Sequence, residues 1–143
     1  ITSDVNLDLL CVINKYVGRD LGYNEGKIRN VSVATEYGKM NNKIPIESII
    51  KEKFEKILSK KMIDIDKAIE LLLYIMKERI FYYRNRETAM MFCNHYLISK
   101  GKGIISVPPK LKEKFKKLVV LYYDENNKNE IKRFLKEKCY RKI

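Results

Sequence analysis

ERIFYYRNRETAMMFCN, running from Glu78 to Asn94, is a short polar loop set between two stretches of helical periodicity. On its N-terminal side Ile65, Ala68, Ile69, Leu72, Leu73, Ile75, Met76 and Ile80 are apolar on nearly every side of a helix, with Asp64 or Asp66 available as cap. That pattern belongs to an enclosed central helix. On its C-terminal side Thr88 to Ser99 reads as a second buried helix, ended by Gly101 and Gly103. The two helices are expected to pack together at the core, with Phe81 and Met90-Met91-Phe92 inside it. The loop from Phe81 to Asn85 abuts a helix start whose backbone N–H groups lack intrahelical partners. Asn85, Arg86 and Thr88, with Arg84 beside them, are therefore candidates for holding a phosphate or another anion, and capping of the helix is an equal role for Asn85.

Away from this stretch the periodicity stays helical. Leu7, Leu10, Val12, Ile13, Tyr16 and Val17 define a first helix, capped by Asp4 or Asn6 and ending near Gly18 to Gly22. Residues 23–43 carry Gly26, Gly38, several Asn and the alternating Val31-Ser32-Val33, the profile of an irregular segment with a short hairpin. Ile46, Ile49, Ile50, Phe54, Ile57 and Leu58 form the apolar face of an amphipathic helix. Ile104 to Pro109 is too short and proline-bound for a helix and reads as an extended link. Leu111, Phe115, Leu118, Val119 and Tyr122 mark one further helix, and Ile131, Phe134, Leu135 and Cys139 another, separated by the polar turn Asp124 to Asn127. One all-α domain over residues 1–143 is expected.

Thirty Lys plus Arg against eighteen Asp plus Glu give a formal net charge of +12. Such a field attracts phosphate-bearing or acidic partners over a Debye length of about 8 to 10 Å. Most of the lysines, Lys110, Lys112, Lys114, Lys116 and Lys117 among them, fall at solvent-facing helical positions, so a solvated surface is the plain reading. No run reaches the length of a membrane span, and a cytoplasmic protein is expected. Cys11, Cys93 and Cys139 are odd in number and far apart, which fits reduced thiols and no metal site. The chain opens at Ile1 without Met, which leaves room for an upstream segment. The single histidine, His95, sits nearly three helical turns beyond the loop and reads as partly buried.

The loop and the helix after it resemble the central motif of the Fic (Fido) family of protein AMP-transferases, His-Pro-Phe-x-Asp/Glu-Gly-Asn-Gly/Lys-Arg-Thr. Phe81, Asn85 and Thr88-Ala89 hold the register. The family's His falls on Arg79, its Pro on Ile80, its acid on Tyr83, its Gly on Arg84 and its Arg on Glu87. The resemblance extends to both flanks. Tyr23-Asn24-Glu25-Gly26-Lys27-Ile28-Arg29 is similar to the family's Pro-Gly-x-Leu-Arg segment, with Glu25 at the Pro position, and residues 31–43 would then be the flap that docks a target, with Val31, Ser32 and Val33 its docking residues. Downstream, residues 101–108 and Leu121-Tyr122-Tyr123-Asp124 look like the family's later segments. The resemblance implies an all-α Fic-like (Fido) fold with a short β-hairpin flap.

It also implies a mechanism that these residues do not supply. A general base near neutral pH needs a group such as His, and Arg79 stays charged. Mg²⁺ prefers carboxylate oxygens, and a neutral phenol at Tyr83 is a poor replacement. Glu87 turns the family's phosphate clamp into a repulsion. No catalytic residue, no metal ligand and no cofactor is therefore expected, with ATP and Mg²⁺ bound only if the pocket is retained. Three function classes follow: a Fic-like domain without AMP transfer that binds a protein partner through the flap or an anion through Arg79, Arg84 and Arg86; a divergent nucleotidyl- or phosphoryl-transferase with Glu78 as distant base or Tyr82 and Tyr83 as self-modification sites; and a basic helical nucleic-acid binder.

Overall fold

The computed structural model describes residues 5–20, 22, 24–32 and 43–142. Helices α1 (Leu7–Val17), α2 (Glu47–Ser59), α3 (Asp64–Glu78), α4 (Asn85–Ser99), α5 (Lys112–Glu125) and α6 (Asn129–Phe134) are joined by one two-stranded sheet among these residues, so the architecture is all-α. Its strands, β1 (Ile104–Ile105) and β2 (Tyr140–Arg141), pair antiparallel with Ile105 opposite Tyr140.

α3 is the centre. Leu71, Leu72 and Leu73 are all fully buried, and successive helical residues point about 100° apart, so the helix is enclosed on every side. It lies against α4, whose Ala89, Phe92, Cys93 and Leu97 are also fully buried. α2 covers one flank with Ile50, Phe54 and Ile57, the Phe54 ring meeting Phe92 at 5.6 Å between centroids. On the other flank Phe115 of α5 stacks on Phe134 of α6 at 6.3 Å, and the Tyr122 hydroxyl donates to the Leu73 carbonyl at 3.1 Å. Glu70 of α3, nearly buried, accepts from Lys132 at 2.7 Å and Lys128 at 3.4 Å, stitching α6 to the centre.

Several ends differ from the sequence expectations. Asn6 caps α1 as expected, its Oδ1 accepting from the Leu9 N–H at 3.0 Å, a contribution of about 1 kcal/mol. Asp64 and Asp66 do not cap α3: Ile63 holds the cap position and both aspartates lie inside the first turn. Asp64 accepts from the Tyr96 hydroxyl at 2.8 Å and Asp66 pairs with Lys136 at 3.0 Å, while their charge still suits the positive end of the helix. α4 begins at Asn85, three residues before Thr88. It ends as expected, Gly101 taking φ +66 while its N–H bonds the Ile98 carbonyl and that of Lys102 the Leu97 carbonyl. α5 runs on through Asp124 and Glu125, moving the turn to Asn126, where φ is 53°.

The link after α4 is a strand in part, because α6 continues through one π-helical turn, Leu135–Cys139, and emerges as β2 alongside it. Cys11, Cys93 and Cys139 are free thiols, and burial pushes Cys93 up to about 12. No helix of the described residues is long and apolar enough to cross a membrane. Asp4, Val33 and the hairpin expected within 31–43 lie outside the described residues, apart from Val31, Ser32 and Lys43 at its two feet.

Candidate anion and partner site at the α3–α4 loop

The loop between α3 and α4 is held by a buried amide. Asn14 lies on the inner face of α1 and is 1% exposed. Its Nδ2 donates to the Tyr83 carbonyl at 2.9 Å and to Thr88 Oγ1 at 3.1 Å, while its Oδ1 accepts from the Gly26 N–H at 2.8 Å. One side chain thus ties α1, the loop, the start of α4 and the 24–27 turn. Gly26 is required there: its φ is +77°, and a Cβ would stand 2.8 Å from Lys15 Cβ and 2.9 Å from the Cys11 carbonyl oxygen.

Arg29 is the second anchor, and it too is 1% exposed. Its Nε donates to the Arg79 carbonyl and its two terminal nitrogens to the carbonyls of Val31 and Lys43, both at 2.8 Å, with Glu78 at 3.4 Å. The guanidinium therefore joins both feet of the 31–43 segment to the C-terminal end of α3, where helix carbonyls present partial negative charge. Burial, then the neighbouring Arg79, lowers its pKa from the ordinary arginine value. Ile28 forms an antiparallel bridge with Phe81, and the Arg29 N–H donates to the Ile80 carbonyl at 2.9 Å. Tyr82 adds a third tie: its hydroxyl accepts from the Asn30 N–H at 3.0 Å and donates to Asn30 Oδ1 at 2.5 Å.

The anion candidates occupy three different situations. Asn85 is buried, with its Oδ1 accepting from the Phe81 N–H and its Nδ2 donating to the Phe81 carbonyl, each at 2.9 Å. Thr88 is fully buried and bonded to Asn14. Arg84 is exposed and pairs with Glu87 at 3.3 Å. Arg86 and Glu87 are among the residues lining a cavity of about 810 Å³ between α4, the 104–107 link and the start of α5. Of the residues expected to dock a target, Val31 and Ser32 are exposed. Arg79 and Arg84 both take left-handed backbone, φ 45° and 50°.

The residues present do not fit a Mg²⁺–ATP clamp. Tyr83 gives its carbonyl to Asn14, and its hydroxyl would stand 3.0 Å from a Cβ at Gly22. Glu87 brings negative charge where the resemblance calls for a cation. No trio of His, Cys, Asp or Glu among the described residues could hold a metal ion. Sequence reasoning passed over Asn14, although a polar residue four positions after Leu10 on an apolar stripe was a visible signal. Arg29 was visible only as the last residue of the 23–29 resemblance; its buried role was not, since three of its four carbonyl partners lie 14, 49 and 50 residues away along the chain. The sequence matches no family model and no curated protein.

Proposed function

We propose that this chain is a Fic-like domain that does not transfer AMP and acts by binding, taking up a protein partner on the surface around the 31–43 segment. The observation that carries this reading is the use of the loop's own polar groups. The amide of Asn85 and the hydroxyl of Thr88, which the resemblance would aim at a nucleotide, are both engaged inside the chain. The group at the proton-acceptor position is Arg79, a permanent cation. Arg29 ties the Val31 and Lys43 carbonyls to the end of α3, Tyr82 holds Asn30 and Asn14 holds the 24–27 turn. The residues flanking the expected flap are thus positioned against the loop, and preorganised flanks lower the entropic cost of binding a partner there.

The divergent transferase draws less support, because the Tyr82 hydroxyl offered as a self-modification site is hydrogen-bonded to Asn30. A calorimetric titration with ATP, ADP and GTP, with and without Mg²⁺, tests the proposal. Silence is expected; a ligand bound at 100 times its Kd would add about 2.7 kcal/mol of stability, so retained nucleotide binding would be conspicuous.

A further inference from the structure

The cavity beside α4 carries an inference of its own. At about 810 Å³ it falls within the size range of small-ligand sites, roughly 300 to 1,000 Å³. Its apolar lining is Met90, Met91, Ile104, Ile105, Val107 and Phe115. Methionines are unbranched and adaptable, suited to a flexible apolar body. Groups that would read a nucleobase are scarce. The Asn94 amide, the one carboxamide in the lining, spends its Oδ1 on the Ile105 N–H at 2.7 Å and its Nδ2 on the Ile105 carbonyl at 2.9 Å. The ring of Phe115, the one aromatic in the lining, is stacked on Phe134.

The rim is cationic. Lys112 and Lys116 stand one turn apart on α5, and Arg86 lies in the first turn of α4, where the helix dipole adds positive potential. Two carboxylates temper this charge: Glu87 in the lining, paired with Arg84 at 3.3 Å, and the exposed Glu113, 3.8 Å from Lys116.

We infer that this cavity binds a small anionic amphiphile, its apolar body against the Met90, Met91 and Phe115 side chains and its carboxylate or phosphate head among Arg86, Lys112 and Lys116. From Arg86 to Asn94 the lined face of α4 rises about 12 Å, which suits a medium-length acyl chain. The inference rests on the reading above in one respect, that positions 86 and 87 no longer clamp a triphosphate. The head is read as that of a free monomeric acid, and a membrane lipid is the competing source that binding to vesicles alone would reveal.

The test is calorimetric titration of the whole chain with monomeric decanoate, with decyltrimethylammonium, with ATP, and with phosphatidylglycerol vesicles. Saturable one-site binding of decanoate is expected, at least about tenfold tighter than the cation of the same tail. Lys116→Glu, at a half-exposed position, and Met91→Asp, also exposed, should each weaken decanoate about tenfold while their thermal midpoints stay close to that of the parent. Equal affinity for both head groups, unchanged affinity in Lys116→Glu, or binding to vesicles alone would overturn the inference. ATP binding in competition with decanoate would instead overturn the reading of the loop, whereas silence from both ligands sinks only the amphiphile.

Discussion

Asn85 and Phe81 bind each other twice, the Phe81 N–H donating to Asn85 Oδ1 and Asn85 Nδ2 donating to the Phe81 carbonyl, both at 2.9 Å. The pair closes the loop ahead of α4 from within. Asn85→Ala should leave a buried N–H and a buried carbonyl unpaired and cost about 2 to 4 kcal/mol, read by urea denaturation. A loss under about 0.5 kcal/mol would mean that the side chain serves an external ligand instead of the loop.

Arg29 poses a sharper geometric demand. Its planar fork reaches four carbonyls from the two feet of the 31–43 segment and the end of α3. A lysine carries three donors on one atom and cannot span them. Arg29→Lys is expected to lose about 2 to 3 kcal/mol and to speed amide exchange at Arg29 and Phe81 ahead of global unfolding. Parent-like exchange would show that the segment is held by other means.

How much of this was readable follows from the range of the interactions. The helix α2 and the enclosed α3 were legible, because 3.6-residue periodicity is a local signal and nothing in the tertiary structure competes with it. The caps of α3 were misread because Asp64 and Asp66 are used by Tyr96 and Lys136, partners that no local pattern names. The β1–β2 pair was illegible, since each strand has two residues and their partners stand 35 to 37 positions apart. The cavity was hidden for the same reason, being assembled from three separate segments.

Glu70 gives a prediction in pH. Burial raises its pKa, but hydrogen bonds and charge from Lys132 and Lys128 outweigh it, and the net shift is downward. A carboxylate with a depressed folded pKa contributes stability that is present above its unfolded value, about 4.3, and lost as pH falls through the folded one. Lys132→Met should therefore cost about 1 to 2 kcal/mol at pH 7, with Lys128 still in place. The gap to the parent should close in thermal melts as pH falls below the unfolded value and through the lower folded one; a gap independent of pH would contradict the ion-pair account.

Arg84 holds φ 50° ahead of α4, where the resemblance calls for glycine. Left-handed backbone costs a non-glycine residue about 1 to 2 kcal/mol, and the exposed pair with Glu87 returns under about 1. After the entropic cost of a glycine in the unfolded chain, Arg84→Gly should be neutral or stabilising by up to about 1 kcal/mol. A clear loss of stability by calorimetry would mean that the Arg84 side chain makes a structural contribution beyond this pair.

The most direct test of the central claim is transfer itself: purified chain incubated with radiolabelled ATP, Mg²⁺ and a lysate offering protein hydroxyls, beside the Arg79→Ala variant. The account predicts no label on either the chain or any lysate protein above a no-enzyme control. Saturable incorporation by the parent, abolished in Arg79→Ala, would contradict it.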